Sequence, residues 1–394
     1  MGPSPLASPR DLTIPDAGSK TAYGVLSRAI GRLLGEVRPM LRARAGGRAF
    51  DDVGALASTL RRPNAGVLVR AMRGVGGKER DVLATELVAL VGFELASSGA
   101  LTSPVRVERL PARIVSIANR CVVDVPEEAT AATFGPDGCV FHRRDGSDVG
   151  AALDAALLSS TRARTPYHDV DGAIVLALED NNPLAMIDAH PDKEGNRIDL
   201  GGHDATEWTR VLRSSLGVIA AHMPDLRREM DLFVSQIIPV GFDREKHLSA
   251  SYREAIGTIY LTLHPSEMTM TEALVHEFSH NKINALFEVD DVLENAFFPL
   301  YKSPVRPDPR PLHGVLLAVH AFLPVARLYE RMIEARHPLA EQASFRARYE
   351  DVIRINREGA AVVLEHAKPT RVGRAVLDEI ARWDAHFSRA VSTR

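Results

Sequence analysis

A chain of 394 residues with 45% hydrophobic and 25% charged residues has room for two or three structural units, or for one large domain with an added helical region. A net charge of −3 gives no basis for nucleic acid or an anionic membrane as the main partner, and the lack of any run near 18 uninterrupted apolar residues argues against a transmembrane helix. The two cysteines, Cys121 and Cys139, exclude a cysteine-rich zinc site; they can pair, but suit a reducing cytoplasm equally well, and the chain is expected there.

Residues 1–20 are rich in Pro, Ser, Gly and Ala and lack the apolar centre of a secretory signal, so they read as a flexible lead-in. From residue 21 to 104 the pattern is helical. Tyr23, Leu26, Ile30, Leu33 and Leu34 keep i, i+3, i+4 spacing, and Val82 to Leu95 is a second such run. Gly74-Val75-Gly76-Gly77 lacks a strand before it and reads as a loop between helices, not a phosphate cradle.

Near Arg113 the character changes to short β-branched segments, Ile114-Val115 and Val122-Val123, followed by hairpin chemistry at Phe134 to Phe141. Ala151 to Ser160 reads as a short helix and Ala173 to Leu178 as an apolar strand. Glu207 to Phe233 holds one or two helices with a break near Pro224. Ser235 to Pro239 and Gly257 to Leu263 are two further strands. After a Pro/Arg-rich loop, Ser303 to Pro311, three helices are expected over 314–336, 345–368 and 373–387. The fold class is therefore α+β and predominantly helical, with a small mixed sheet. The expected divisions are a flexible 1–20, a helical 21–104, an α+β core at 105–325 and a helical 326–394.

The chemistry sits at His276-Glu277-Phe278-Ser279-His280, an H-E-x-x-H sequence in an apolar helical run. Residues four apart share a helix face, so two neutral imidazoles project together and supply half of a first-row metal site, with Glu277 beside them to handle a proton. The bland alternative is a pair of ordinary helical histidines. The strand Gly257 to Leu263 runs through a short loop into this helix, an arrangement in which a sheet edge shapes a substrate groove above the metal.

A third ligand separates the possible reactions. The longer metzincin motif fails, because Ile283 and Leu286 stand where glycine and histidine are needed. Glu288 and Glu294 are available for a peptidase-type carboxylate, Glu294 being the better placed. His320, alone in the apolar helix Val315 to Leu323, is the stronger candidate, against the reading of a core histidine bonded to a carbonyl. His313 at the start of that helix is the reserve.

Taken in order, Ser249-Ala250-Ser251-Tyr252, Gly257 to Leu261, Glu272 to Lys282 and Pro307-Asp308-Pro309-Arg310-Pro311-Leu312-His313-Gly314 resemble the H-E-x-x-H peptide-modification family found beside ribosomally made peptide precursors. The resemblance runs from about residue 173 to 323. One departure concerns the later helix, where the family can carry a His one turn earlier and this chain has Leu317. The resemblance implies an Fe(II)- and 2-oxoglutarate-dependent hydroxylase acting on a side-chain β-carbon of a precursor peptide. His276, His280 and His320 would hold the iron, and Glu277 would orient a ligand or water. Arg310 or Arg306 would grip the distal carboxylate of 2-oxoglutarate, with Lys282 and Arg253 as further cations for that task. Two other readings stay open: a zinc peptidase or amidase with Glu277 as general base, and a peptide-binding scaffold with a vestigial site.

Overall fold

The computed structural model describes residues 9–45, 50, 52–136, 138–149, 163–186, 189–190 and 193–392. Four helices come first, α1 (Thr21–Ala45), α2 (Val53–Leu60), α3 (Pro63–Gly74) and α4 (Gly77–Ser97). The glycines at 74–77 join α3 to α4, as the sequence suggested. Short strands follow: β1 (Val105–Glu108), β2 (Arg113–Ser116), β3 (Cys121–Asp124), β4 (Ala131–Gly135), β5 (Gly138–His142), β6 (Ala163–Arg164), β7 (Tyr167–Asp169), β8 (Val175–Ala177), β9 (Ala189–His190) and β10 (Lys193–Glu194). The helix expected at 151–160 lies outside the described residues.

Helices α5 (Ala205–His222) and α6 (Pro224–Phe233) meet at Pro224, whose ring ends the first helix and starts the second. Then come β11 (Gln236–Phe242), β12 (Ser249–Ala250), β13 (Thr258–Leu263), α7 (Glu267–Phe287), β14 (Leu300–Tyr301), β15 (Arg310–Pro311), α8 (Leu312–Glu334), α9 (Ala343–His366) and α10 (Arg371–Ser392). The fold is α+β with helices dominant, and the expected class holds.

The main sheet has the order β12-β13-β11-β8-β7. Its three central strands are parallel and its two edge strands antiparallel. Every residue of β13 is buried, which is why it reads as an unbroken apolar run instead of an alternating one. Gly257 opens β13 at φ +103°, where a Cβ would sit 2.8 Å from the Phe233 carbonyl. Its N–H donates to Asn281 Oδ1 at 2.6 Å and ties the strand to α7.

Two hydrophobic cores share α1. Val25, Leu26 and Ala29 join the larger one, built from β8, β11, β13 and α5 to α10; Leu33, Val37 and Leu41 join a second one, built from α2 to α4 and the strands β1 to β5. The strands from residue 105 to 142 thus pack with the N-terminal helices. Helix α8 runs through residue 325, and its core continues into α9 and α10. It is long and apolar enough to cross a bilayer, yet most of it is buried inside the protein. Cys121 and Cys139 are free and buried in the second core, where desolvation pushes both thiols up to about 12.

The flexible lead-in expected for residues 1–20 does not extend to residues 11–14. Leu12, Thr13 and Ile14 are buried, and their three backbone N–H groups donate to the Glu379 carboxylate at 2.9–3.1 Å. The composition of this stretch is loop-like, but one buried carboxylate from α10 satisfies its backbone and fixes it as a strap across the core.

Candidate metal centre

Helix α7 begins at Ser266, whose hydroxyl accepts the Thr269 N–H at 3.2 Å. It is buried on most sides, held between the sheet, α5 and α8. His276 and His280 remain half-buried. Their Nε2 atoms stand 3.0 Å apart with the rings nearly perpendicular. Two cis ligands with bonds of about 2.1 Å lie about 3.0 Å apart at a right angle and about 3.4 Å apart at the tetrahedral angle. The pair therefore has the spacing of two ligands on one ion.

Burial holds the His276 imidazole well below its usual range, with the charges of His280 and Arg348 acting in the same direction. Burial also lowers His280, against the opposing pull of Glu277. Both rings are therefore neutral near pH 7, the form that ligates metals. Phe322 from α8 packs on His276 at 4.6 Å between ring centroids and fixes its orientation.

Glu277 completes the group: one ligand atom from each of His276, Glu277 and His280 lies within 4.8 Å of the others. The Ser249 hydroxyl on β12 donates to Glu277 Oε1 at 2.6 Å. Glu277 Oε2 is buried without a hydrogen-bond partner, and so is His280 Nδ1. A buried carboxyl oxygen left bare beside two imidazoles is costly unless something fills the space between them. Behind it, the Ser251 hydroxyl and the Asn281 amide both donate to the Glu277 carbonyl, at 3.2 and 2.9 Å.

His276 opens on a cleft of about 840 Å³ whose walls also include His247, Ser249, Phe322, Tyr329 and Arg348, whereas His280 and Glu277 lie behind it and do not line it. Arg348, from α9, makes two bonds to the Glu272 carboxylate at 2.5 and 3.2 Å and one to Asp351 at 2.8 Å. The Tyr329 hydroxyl donates to Glu272 at 3.0 Å. Arg348 is thus a fixed cation in the wall beside His276.

His320 does not join the metal group. Its ring nevertheless lies against the same helix α7, where the charges of Lys282 and His280 and a backbone group of Ser279 act on it. There it is fully buried, and its Nδ1 shares a 3.0 Å hydrogen bond with the Thr13 hydroxyl of the strap. Lys282, also fully buried, donates to the Thr13 carbonyl at 3.3 Å and to Glu229 at 2.7 Å. The Nδ1 of His320 belongs to this polar network, while its Nε2 is buried without a hydrogen-bond partner.

The other expected positions are also occupied elsewhere. His313 lies between Phe287 and Phe297, with ring centroids 4.5 and 5.6 Å away, and is not in the metal group. Glu294 is exposed, and Glu288 is bound by Arg70 and Arg73. Arg310 pairs with Asp308 at 2.9 Å and Arg306 is exposed; neither lines the cleft. Arg253 donates to the Phe287 carbonyl at 3.2 Å. The cation of the cleft wall is instead Arg348, which lies 72 positions beyond His276 with no motif to mark it. No family model and no curated protein matches this chain.

Proposed function

We propose that this chain is an Fe(II)- and 2-oxoglutarate-dependent hydroxylase that modifies a side-chain β-carbon of a ribosomally made precursor peptide in the cytoplasm. The observation that carries the reading is the donor set: two imidazoles at right-angle spacing and one carboxylate within 4.8 Å. Two histidines and a carboxylate are the protein face of non-haem iron oxygenases, with positions left open for a bidentate 2-oxoacid and O2. The order of motifs around the H-E-x-x-H segment, and its resemblance to the peptide-modification family, point the same way. Free, buried thiols suit a reducing compartment.

When bound, iron with 2-oxoglutarate and O2 supplies the oxidising power: substrate C–H, 2-oxoglutarate and O2 become alcohol, succinate and CO2. The chain's part is placement. His276 and His280 bind as neutral donors, and Phe322 fixes the first of them. Ser249 holds Glu277 Oε1 beside the pair, and Arg348, its charge shared with Glu272 and Asp351, is the cation that an anionic co-substrate would meet in the wall.

Anaerobic reconstitution with iron and 2-oxoglutarate, followed by air, should give succinate and a peptide heavier by one oxygen atom. Hydrolysed peptide formed without O2 would reject the reading. The bare Glu277 Oε2 favours a second reading, a zinc peptidase or amidase in which this oxygen takes a proton from the attacking water. That activity would persist without O2 and vanish in Glu277→Gln.

A further inference from the structure

Strand β12 is an outer strand of the main sheet, with β13 on one side and, among the described residues, no strand on the other. Its register is Ser249 opposite Leu261 and Ala250 opposite Tyr260. The Thr262 N–H donates to the Leu248 carbonyl at 2.8 Å, and the Leu248 N–H donates to the Thr262 hydroxyl at 3.0 Å. Leu248 therefore faces β13. In an antiparallel pair, successive residues turn their backbone groups to opposite sides, so Ser249 points both its N–H and its C=O at the open side.

The same residue lines the cleft with His276, and its side chain reaches Glu277 Oε1 at 2.6 Å. The open edge and the metal group thus meet at one residue. A free donor and acceptor side by side on a strand edge match the backbone of another extended chain, and match it regardless of side chain.

We propose that the substrate binds as an extended peptide that adds a strand to β12, with one residue paired directly to Ser249. The inference rests on the peptide reading of the site and makes it more specific. An added strand lies about 4.8 Å outside β12, and the residue opposite Ser249 sends its side chain to the same face as the Ser249 side chain. That face holds Glu277 and the two imidazoles. The side chain presented for reaction is therefore that of the paired residue, and its immediate neighbours point away. Recognition comes from main-chain bonds at the edge, and selectivity from how the cleft accepts every second side chain.

The test uses the full-length zinc-loaded protein and a peptide of about ten residues selected on it from a random display library. Each backbone amide of that peptide is methylated in turn and the affinity measured by fluorescence anisotropy. The expected result has a period of two: methylation weakens binding about tenfold at alternate positions across the central residues and by less than about twofold at those between. Uniform losses, losses spaced three or four residues apart as for a docked helix, or failure to select any peptide would overturn the proposal. Binding needs neither iron nor O2, so absent hydroxylation leaves the measurement readable. Turnover of a peptide lacking the two-residue period would remove strand addition and leave the hydroxylase reading in place.

Discussion

Replacing Lys282 with methionine tests the polar network behind α7. Its ammonium is fully buried, donating to Glu229 at 2.7 Å and to the Thr13 carbonyl at 3.3 Å, with the Phe278 ring 5.2 Å away. Methionine keeps the apolar stem and removes the charge, leaving a buried carboxylate and a buried carbonyl without their donor. Breaking one partner of a buried pair costs about 3–5 kcal/mol, against a total stability of about 5–15 kcal/mol for a typical folded chain. Burial already raises the Glu229 pKa, and the Lys282 charge and hydrogen bond pull it back. Without the lysine it rises further. A carboxylate raised on folding contributes its stability below the unfolded value near 4.5 and loses it as pH rises through the folded value. The deficit of Lys282→Met should therefore be smaller at pH 5 than at pH 8 in urea unfolding followed by circular dichroism. Adding Glu229→Leu should recover most of it, because two apolar residues need no partner. A single-variant loss below about 1 kcal/mol, or a double variant no better than the single, would refute the reasoning.

Three further outcomes follow from the same geometry. His320→Leu should leave zinc or cobalt affinity within about twofold by titration calorimetry while lowering stability by about 1 kcal/mol through the lost Thr13 bond; a large loss of affinity would restore residue 320 as a ligand. Ser249→Ala frees the Glu277 carboxylate and should weaken metal binding about 10–100-fold, with Ser249→Thr recovering much of it. Glu288 is buried, which alone would raise its pKa, but the hydrogen bond from Arg73 and the charge of Arg70 prevail and lower it. Its stabilisation is therefore present above the unfolded value near 4.5 and lost as pH falls through the lowered folded one. Glu288→Gln should be less stable than the parent at pH 7, with the gap closing on acidification in thermal unfolding at pH 7, 5 and 3.

The helices and the imidazole pair were legible because both depend on local spacing. His276 and His280 face one way in any α-helix, and Pro224 breaks any helix that reaches it. For His320 the apolar helix revealed burial, but not that the Thr13 hydroxyl of the N-terminal strap would take its Nδ1. Arg310 misled for a related reason: a rigid Pro-Arg-Pro frame fixes a backbone, and the Asp308 carboxylate two residues away takes the charge. Ser249 was marked only as part of the Ser249-Ala250-Ser251-Tyr252 segment and Arg348 and Thr13 by nothing local, since each acts on a residue far away in the chain.

The sequence by itself determined an α+β chain rich in helices, a helix presenting two imidazoles and a carboxylate, and a buried strand leading into it. Only the tertiary structure decided which side chains meet that helix: a serine from an edge strand, an arginine from α9, and an N-terminal strap that claims the buried histidine. Periodicity follows from the backbone geometry of a single segment, whereas a contact between segments depends on the rotation and register at which they pack, and these are set by the whole core at once.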